Sequence, residues 1–424
     1  MAHPLHIGAA IDGAGSHPAA HRSTPAAPYE LFTAAHYAHS ARLAERATLD
    51  YVTLDDSFAA PGRPGVPGRP DALLTLAALA PVTSGIGLVP TVTTTHTEPF
   101  HVSKGIASLD HASRGRAGWL VEVSDTEDDA RLVGRRPVAP AEELWNEAGA
   151  VVDAASALWD SWEDGAEIRD VATGRFIDRD RLHYVDHEYV RREDARPEDG
   201  PHAEDTGWTV RGPSITPRPP QGHPVVFVRA DTDDRLRTAA RYADAVLIRA
   251  RTPERAAQRR AEVHRAVRGA GRDPGQVRVL ADLGIVLDRD RRIAEERSAR
   301  LDALVPGDGA PETGARGTGI SGAKPSAPSR PAATFAGTPR DLAREIEAWS
   351  EAVDGLTLRP AVLPVDLERF AADTVPLLKE AGILRTARTA DTLRGNLGLR
   401  RPANRHAPTA RTAPTAPASE GAPR

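Results

Sequence analysis

Eight short apolar runs punctuate this chain: Leu5 to Ile11, Tyr51 to Leu54, Ile86 to Pro90, Ala117 to Val123, Val225 to Val228, Ala245 to Ile248, Val277 to Val286 and Leu356 to Leu358. Each is near-continuously apolar and shorter than a buried helix, the pattern of a parallel strand covered on both faces. The segments between them have helical spacing and clear starts. Thr252 and Pro253 open one that stops near Gly271, and Thr338 and Pro339 open another whose stripe is Leu342, Ile346, Trp349 and Val353. Eight strand–helix alternations predict an α/β fold, a closed (β/α)8 TIM barrel. Aromatic residues make up only 4% of the chain, so such a core must be built from Ala, Val, Leu and Ile.

A minimal barrel needs roughly 250 residues, and the 424 present place the excess in insertions and a tail. One insertion spans about 162–220, with a charged, proline-bearing stretch from Arg191 to Asp205 that reads as a mobile excursion. A second, about 306–333, is nearly all Gly, Pro, Ser and Ala and reads as a linker. We therefore expect one barrel domain over 1–402 and a disordered tail over 403–424.

Several function classes drop out on composition. There is no cysteine, which removes disulfides, thiolate metal sites and thiol nucleophiles, and suits a reducing cytoplasm. The longest apolar stretch, Ala72 to Val82, is too short to cross a bilayer, and no cationic, apolar leader opens the chain, so no membrane association is expected. A net charge of −5 argues against a nucleic-acid partner. Gly317, Gly319 and Gly322 match G-x-G-x-x-G, yet they sit in the linker with no strand before them. His36 with His39, and His183 with His187, have helical spacing but lack the further ligands a metal needs, so no metal is expected.

In a barrel, the residues just after each strand meet at one mouth. There the sequence places Asp55, Asp56 and Ser57, then Thr93, Thr94, Thr95 and His96, then Trp119 to Ser124, then Arg229 to Thr232. Hydroxyls, a carboxylate and a helix start make a polar ring suited to a phosphorylated ligand; the same residues also serve as ordinary turn and cap residues.

The stretch from Leu43 to Val52, Glu98-Pro99-Phe100-His101, Ala107 to His111, Gly115 to Trp119 and Leu158 to Asp164 resembles the bacterial luciferase-like flavin monooxygenases. The likeness is strongest to the branch holding nitrilotriacetate and dibenzothiophene sulfone monooxygenases. Val210 to Pro213, Pro219 to Pro224 and Thr392 to Pro402 extend it over most of the chain. The resemblance implies a barrel that takes reduced FMN from a separate NAD(P)H-dependent flavin reductase, uses molecular oxygen as co-substrate, and oxygenates a small organic substrate. Carried over position by position, it implies flavin contacts at Asp56, Thr94, Ser124 and Thr232, names no catalytic residue, and allows a homo-oligomer.

The departures from that pattern are specific. Leu120, Glu122 and Val123 replace an amide, an apolar residue and a hydroxyl, which implies two lost flavin contacts. Ala141 and Trp145 stand where relatives have His and Tyr, and the indole N–H is a substitute donor. The phosphate turn reads Arg229, Ala230, Asp231, Thr232, with Asp233, Asp234 and Arg235 following. Each acid beside a phosphate costs on the order of 1 kcal/mol unless Arg229 or Arg235 offsets it. These changes keep two alternatives open: a degenerate barrel without flavin that serves as a binding or partner subunit, and a deazaflavin in place of FMN.

Overall fold

The computed structural model describes residues 4–58, 66, 68–190, 207–305 and 331–407. Eight strands form the barrel: β1 (His6–Ala10), β2 (Tyr51–Leu54), β3 (Gly87–Thr93), β4 (Gly118–Glu122), β5 (Val225–Arg229), β6 (Ala245–Ile248), β7 (Arg278–Leu287) and β8 (Gly355–Pro360). They coincide with the eight runs of the sequence. All are parallel, in the order β6-β5-β4-β3-β2-β1-β8-β7, and β6 pairs with β7 to close the ring. The principal outer helices are α1 (Ala34–Arg46), α2 (Ala72–Leu79), α3 (Pro99–Ser113), α4 (Ala141–Asp160), α5 (Asp233–Tyr242), α6 (Pro253–Gly269), α7 (Pro339–Ser350) and α8 (Val365–Arg369). Thr232, Thr252 and Thr338 each cap the helix they precede, supplying an acceptor to an otherwise unpaired N–H.

Strand alternation divides the core in two. Val52, Trp119, Val121, Val226, Val228, Val246 and Ile248 face outward against the helices, while Tyr51, Val89, Leu120, Phe227, Leu247 and Leu280 fill the barrel's interior. Gly8 makes room for Tyr51: a Cβ there would come within 2.2 Å of the Tyr51 ring. The lower end of the barrel is stoppered by Leu393, Leu397 and Leu399, which pack into this interior cluster. Buried Arg394 holds the stopper in place, donating to Asp244 at 3.0 and 2.6 Å, while its own N–H reaches Gln221 at 2.7 Å.

Elements outside the barrel were less readable. Among the described residues the first insertion holds two antiparallel strand pairs, Glu167–Asp170 with Arg175–Ile177 and Asp186–Val190 with Gly207–Arg211. Trp208, stacked between His187 and Tyr189, donates to Glu147 of α4 and anchors the second pair. Ala333, the last residue of the expected linker, opens a strand (Ala333–Gly337) that pairs with Leu283 to Leu287 of β7. The expected tail boundary shifts: Asn404 donates to the carbonyls of Asp160 and Trp162, and the His406 ring stacks on His183 at 3.8 Å. Arg191 to Asp205, the glycine pattern at Gly317, Gly319 and Gly322, and residues 408–424 lie outside the described residues. Among the described residues no helix is long and apolar enough to cross a membrane.

Candidate active site

The inward register that puts Tyr51 inside the barrel continues through Thr53 to Asp55, one residue past the end of β2. Asp55 therefore points into the mouth, and Asp56 points out toward α2. Asp56 accepts from Arg69 Nε and from the N–H groups of Ser57 and Ala72, at 2.8 to 2.9 Å. Burial lifts its carboxyl above the usual range against the pull of Ala72 N–H and Arg69. At the ends of β3 and β4, Thr94 donates its N–H to the Glu122 carbonyl at 2.8 Å, Ser124 donates its N–H to Thr95 Oγ1 at 3.1 Å, and the Thr93 and Ser124 hydroxyls meet at 3.1 Å. Thr232 is exposed at the start of α5, its hydroxyl accepting from Arg235 N–H at 3.4 Å. All four residues singled out from the sequence thus belong to the same end of the barrel. Thr94 and Ser124 are buried together, with Thr232 on the rim and Asp56 beside α2.

What fills the mouth between them is ionic. Arg229, ending β5, donates to Asp55 Oδ1 at 2.7 Å. Arg359, on β8 and fully buried, donates to Asp55 Oδ2 at 3.1 Å and to Asp282 of β7 at 3.0 Å, and lies 3.6 Å from Asp12 just after β1. Glu122, ending β4, receives both terminal nitrogens of Arg235 at 3.1 and 2.8 Å and lies 3.9 Å from Arg229. Burial by itself would raise the Asp55 carboxyl, but Arg229 and Arg359 reverse that and hold it below the ordinary range. Below this layer, Tyr51 and Thr357 share a 2.7 Å hydroxyl contact.

Most of this network escaped sequence reasoning, although a signal was present. Asp282 and Arg359 are lone charges within or directly after apolar strand runs, and a charge buried in a strand needs a partner. Period-two alternation brings the two together: Asp282 pairs in register with Thr357, and Gly284 with Arg359.

The substituted positions take different roles from those the sequence suggested. Trp145 offers its ring face, with the Arg235 guanidinium 4.5 Å from the centroid, a cation–π contact worth about 0.5–2 kcal/mol. Arg229 and Arg235, the candidates to offset the acidic turn, are engaged by Asp55 and Glu122. Asp234 pairs with Arg237 instead. Burial raises the Asp231 carboxyl, opposed by Arg249, Arg235 and Arg229 in turn. The histidine pairs diverge: His36 donates to the Gly13 carbonyl, His39 meets Glu368, His183 meets Glu163 and His187 stacks on Trp208.

FMN needs donors for its ring oxygens and nitrogens and an anion site for its phosphate. Arg229 Nε is a buried donor with no partner among the described residues. The Thr93 and Ser124 hydroxyls, paired to each other, keep further hydrogen-bonding capacity. The ten-residue α5 presents its N-terminus with Thr232 exposed, a polarity that favours an anion. The residues present fit the group, with Asp231 and Asp233 as the opposing element.

The profile described as luciferase-like monooxygenase matches residues 13–354. N-acetyl-S-(2-succino)cysteine monooxygenase of Bacillus subtilis (strain 168) is 29% identical over 451 residues, spanning 95% of this chain and 98% of its own. Nitrilotriacetate monooxygenase component A of Aminobacter aminovorans is 30% identical over 457 residues, spanning 94% and 97%. A riboflavin lyase solved with modified FMN and its substrate riboflavin superposes with a TM-score of 0.76 at 22% identity, covering 93% of this chain and 96% of that one.

Proposed function

This chain belongs to the luciferase-like monooxygenases, and on that premise we propose that it is an FMN-dependent oxidoreductase that oxygenates a small organic molecule, with reduced flavin supplied by a separate NAD(P)H-dependent reductase and O₂ as co-substrate. The observation that carries the reading is the gathering of Thr94, Ser124, Thr232 and Arg229, whose Nε has no partner among the described residues, at one barrel mouth. When bound, the flavin supplies the redox chemistry with oxygen. The chain's own residues bind and orient. Thr232 and the α5 N-terminus would receive the phosphate, Thr94 and Ser124 would hydrogen-bond the flavin, and Arg229 would supply positive charge to stabilise its reduced form. Asp56 braces the loop after β2 through α2 and Arg69. We place the protein in the cytoplasm.

The test is uptake of FMN and of reduced FMN in equilibrium dialysis at high micromolar ligand, alongside oxygen consumption with a flavin reductase. Retention of either flavin, with reductase-dependent oxygen uptake above the free-flavin background, is the expected result; binding of neither overturns the proposal. One observation favours the second reading, a barrel that has given up flavin and acts as a partner subunit: both arginines beside the phosphate turn are held by carboxylates.

A further inference from the structure

Among the described residues, the largely buried ionic layer at the barrel mouth is unbalanced: its ion pairs join four acids, Asp12, Asp55, Glu122 and Asp282, to three guanidiniums, those of Arg229, Arg235 and Arg359. Asp56 and Arg69 form a separate, balanced pair outside it. An uncompensated buried charge is costly, and the ordinary remedy is for one acid to keep its proton. Distances select which one. Asp55, Glu122 and Asp282 each touch a guanidinium at 2.7 to 3.0 Å, whereas Asp12 comes no nearer than 3.6 Å to Arg359. Its Oδ1 is occupied, accepting the Asp55 N–H at 2.7 Å. Its Oδ2 is buried and has no hydrogen-bond partner among the described residues.

We propose that Asp12 is the proton-holding residue of the active site, carrying on its buried, unpaired Oδ2 a proton that it exchanges during turnover. The role rests on the monooxygenase reading. Substrate, O₂, two electrons and two protons give the oxygenated substrate and water, with the electrons drawn from reduced flavin. One oxygen atom enters a new bond to the substrate, the O–O bond breaks, and the other oxygen leaves as water. A resident group positioned to hand over one of those protons and recover it afterwards speeds such a reaction as a general acid and base. The groups facing Asp12 set its titration: Asp55 from β2, Arg359 from β8, Arg229 of β5 beyond Asp55, and Tyr37 from α1. Burial and then the charge of Asp55 raise the Asp12 carboxyl, against the pull of Arg359, the Asp55 N–H and Arg229.

The experiment begins without flavin. In the full chain labelled at aspartate 13Cγ, one carboxyl resonance should titrate well above the usual aspartate range and vanish from the aspartate set in both Asp12→Glu and Asp12→Asn. In the reductase-coupled assay Asp12→Asn should lose the protonation-dependent limb of the kcat/KM pH profile and fall by roughly tenfold to a hundredfold, with FMN affinity within about twofold. Asp12→Glu should restore that limb. An Asp12 carboxyl that is ionised throughout about pH 5 to 8 overturns the proposal, as does an Asp12→Asn profile that matches the parent. A retained proton in a chain that binds no flavin overturns the oxygenase reading and the turnover role together, a result distinct from an ionised Asp12.

Discussion

Arg359→Met is the sharpest probe of how the barrel mouth is held together. The guanidinium is fully buried and faces three carboxylates, Asp282 at 3.0 Å, Asp55 at 3.1 Å and Asp12 at 3.6 Å. At an effective dielectric near 20, a contact of about 3 Å is worth roughly 5 kcal/mol before desolvation is subtracted. Asp55 keeps Arg229 when Arg359 is lost. Asp282 does not have that recourse: its hydrogen bond among the described residues comes from Arg359, and its Oδ1 is already unpartnered. Removing one partner of such a pair costs about 3–5 kcal/mol because the other charge is stranded, and that is the loss expected near neutral pH. In an Asp282→Asn background the same substitution should cost about 2 kcal/mol less. The gap between Arg359→Met and the parent should also narrow toward acid, as the stranded carboxylates protonate. Urea unfolding followed by the fluorescence of buried Trp119, Trp159 and Trp349 reads all three quantities. A loss below about 1 kcal/mol, or costs that simply add in the double variant, would refute the reasoning.

Three further outcomes follow from the same geometry. Asp231→Ala with Asp233→Ala removes two acids from the start of α5 and should tighten FMN binding by roughly tenfold; unchanged affinity in a fluorescence-quenching titration means the phosphate sits elsewhere. Trp145→Leu strips the ring from beneath Arg235 and should lower stability by about 2–4 kcal/mol through cavity and cation–π loss, measured by the shift in urea midpoint. His6 is held neutral at the lower end, its pKa pushed down to about 3 by burial and then by Arg385 and Arg278. The unfolded chain takes up that proton near pH 6.5, so the stability is fully present above that value and drains away as pH falls toward 3, by at most about 1.4 kcal/mol per unit. His6→Gln should flatten this slope, and an unaltered slope assigns it to other groups.

The barrel was legible because a parallel strand buried on both faces must be apolar along its whole length, and eight such runs recur between helical segments. Thr-Pro starts marked helices for a similarly local reason. The strand from Ala333 to Gly337 was hidden because its residues are mostly small and follow a low-complexity stretch, so that pairing with β7 and not intrinsic preference decides it. At the site, the residues picked from spacing and resemblance lie at the same end of the barrel. Spacing could not say which of two adjacent acids faces inward. That depends on the parity of β2: Tyr51 lies inside, so Asp55 does too, and Asp56 turns to α2. The Asp282–Arg359 pair is set by the register of β7 against β8, a long-range quantity that no local pattern encodes.

The leucine stopper at the lower end ties the first strands made to residues near position 400. Until Leu393, Leu397 and Leu399 emerge, the nascent ring has a hollow base, and Tyr51, Val89 and Phe227 must wait for partners. Final consolidation of the barrel therefore waits on residues 393–399, and chains lacking the stopper are natural clients for chaperones and proteases.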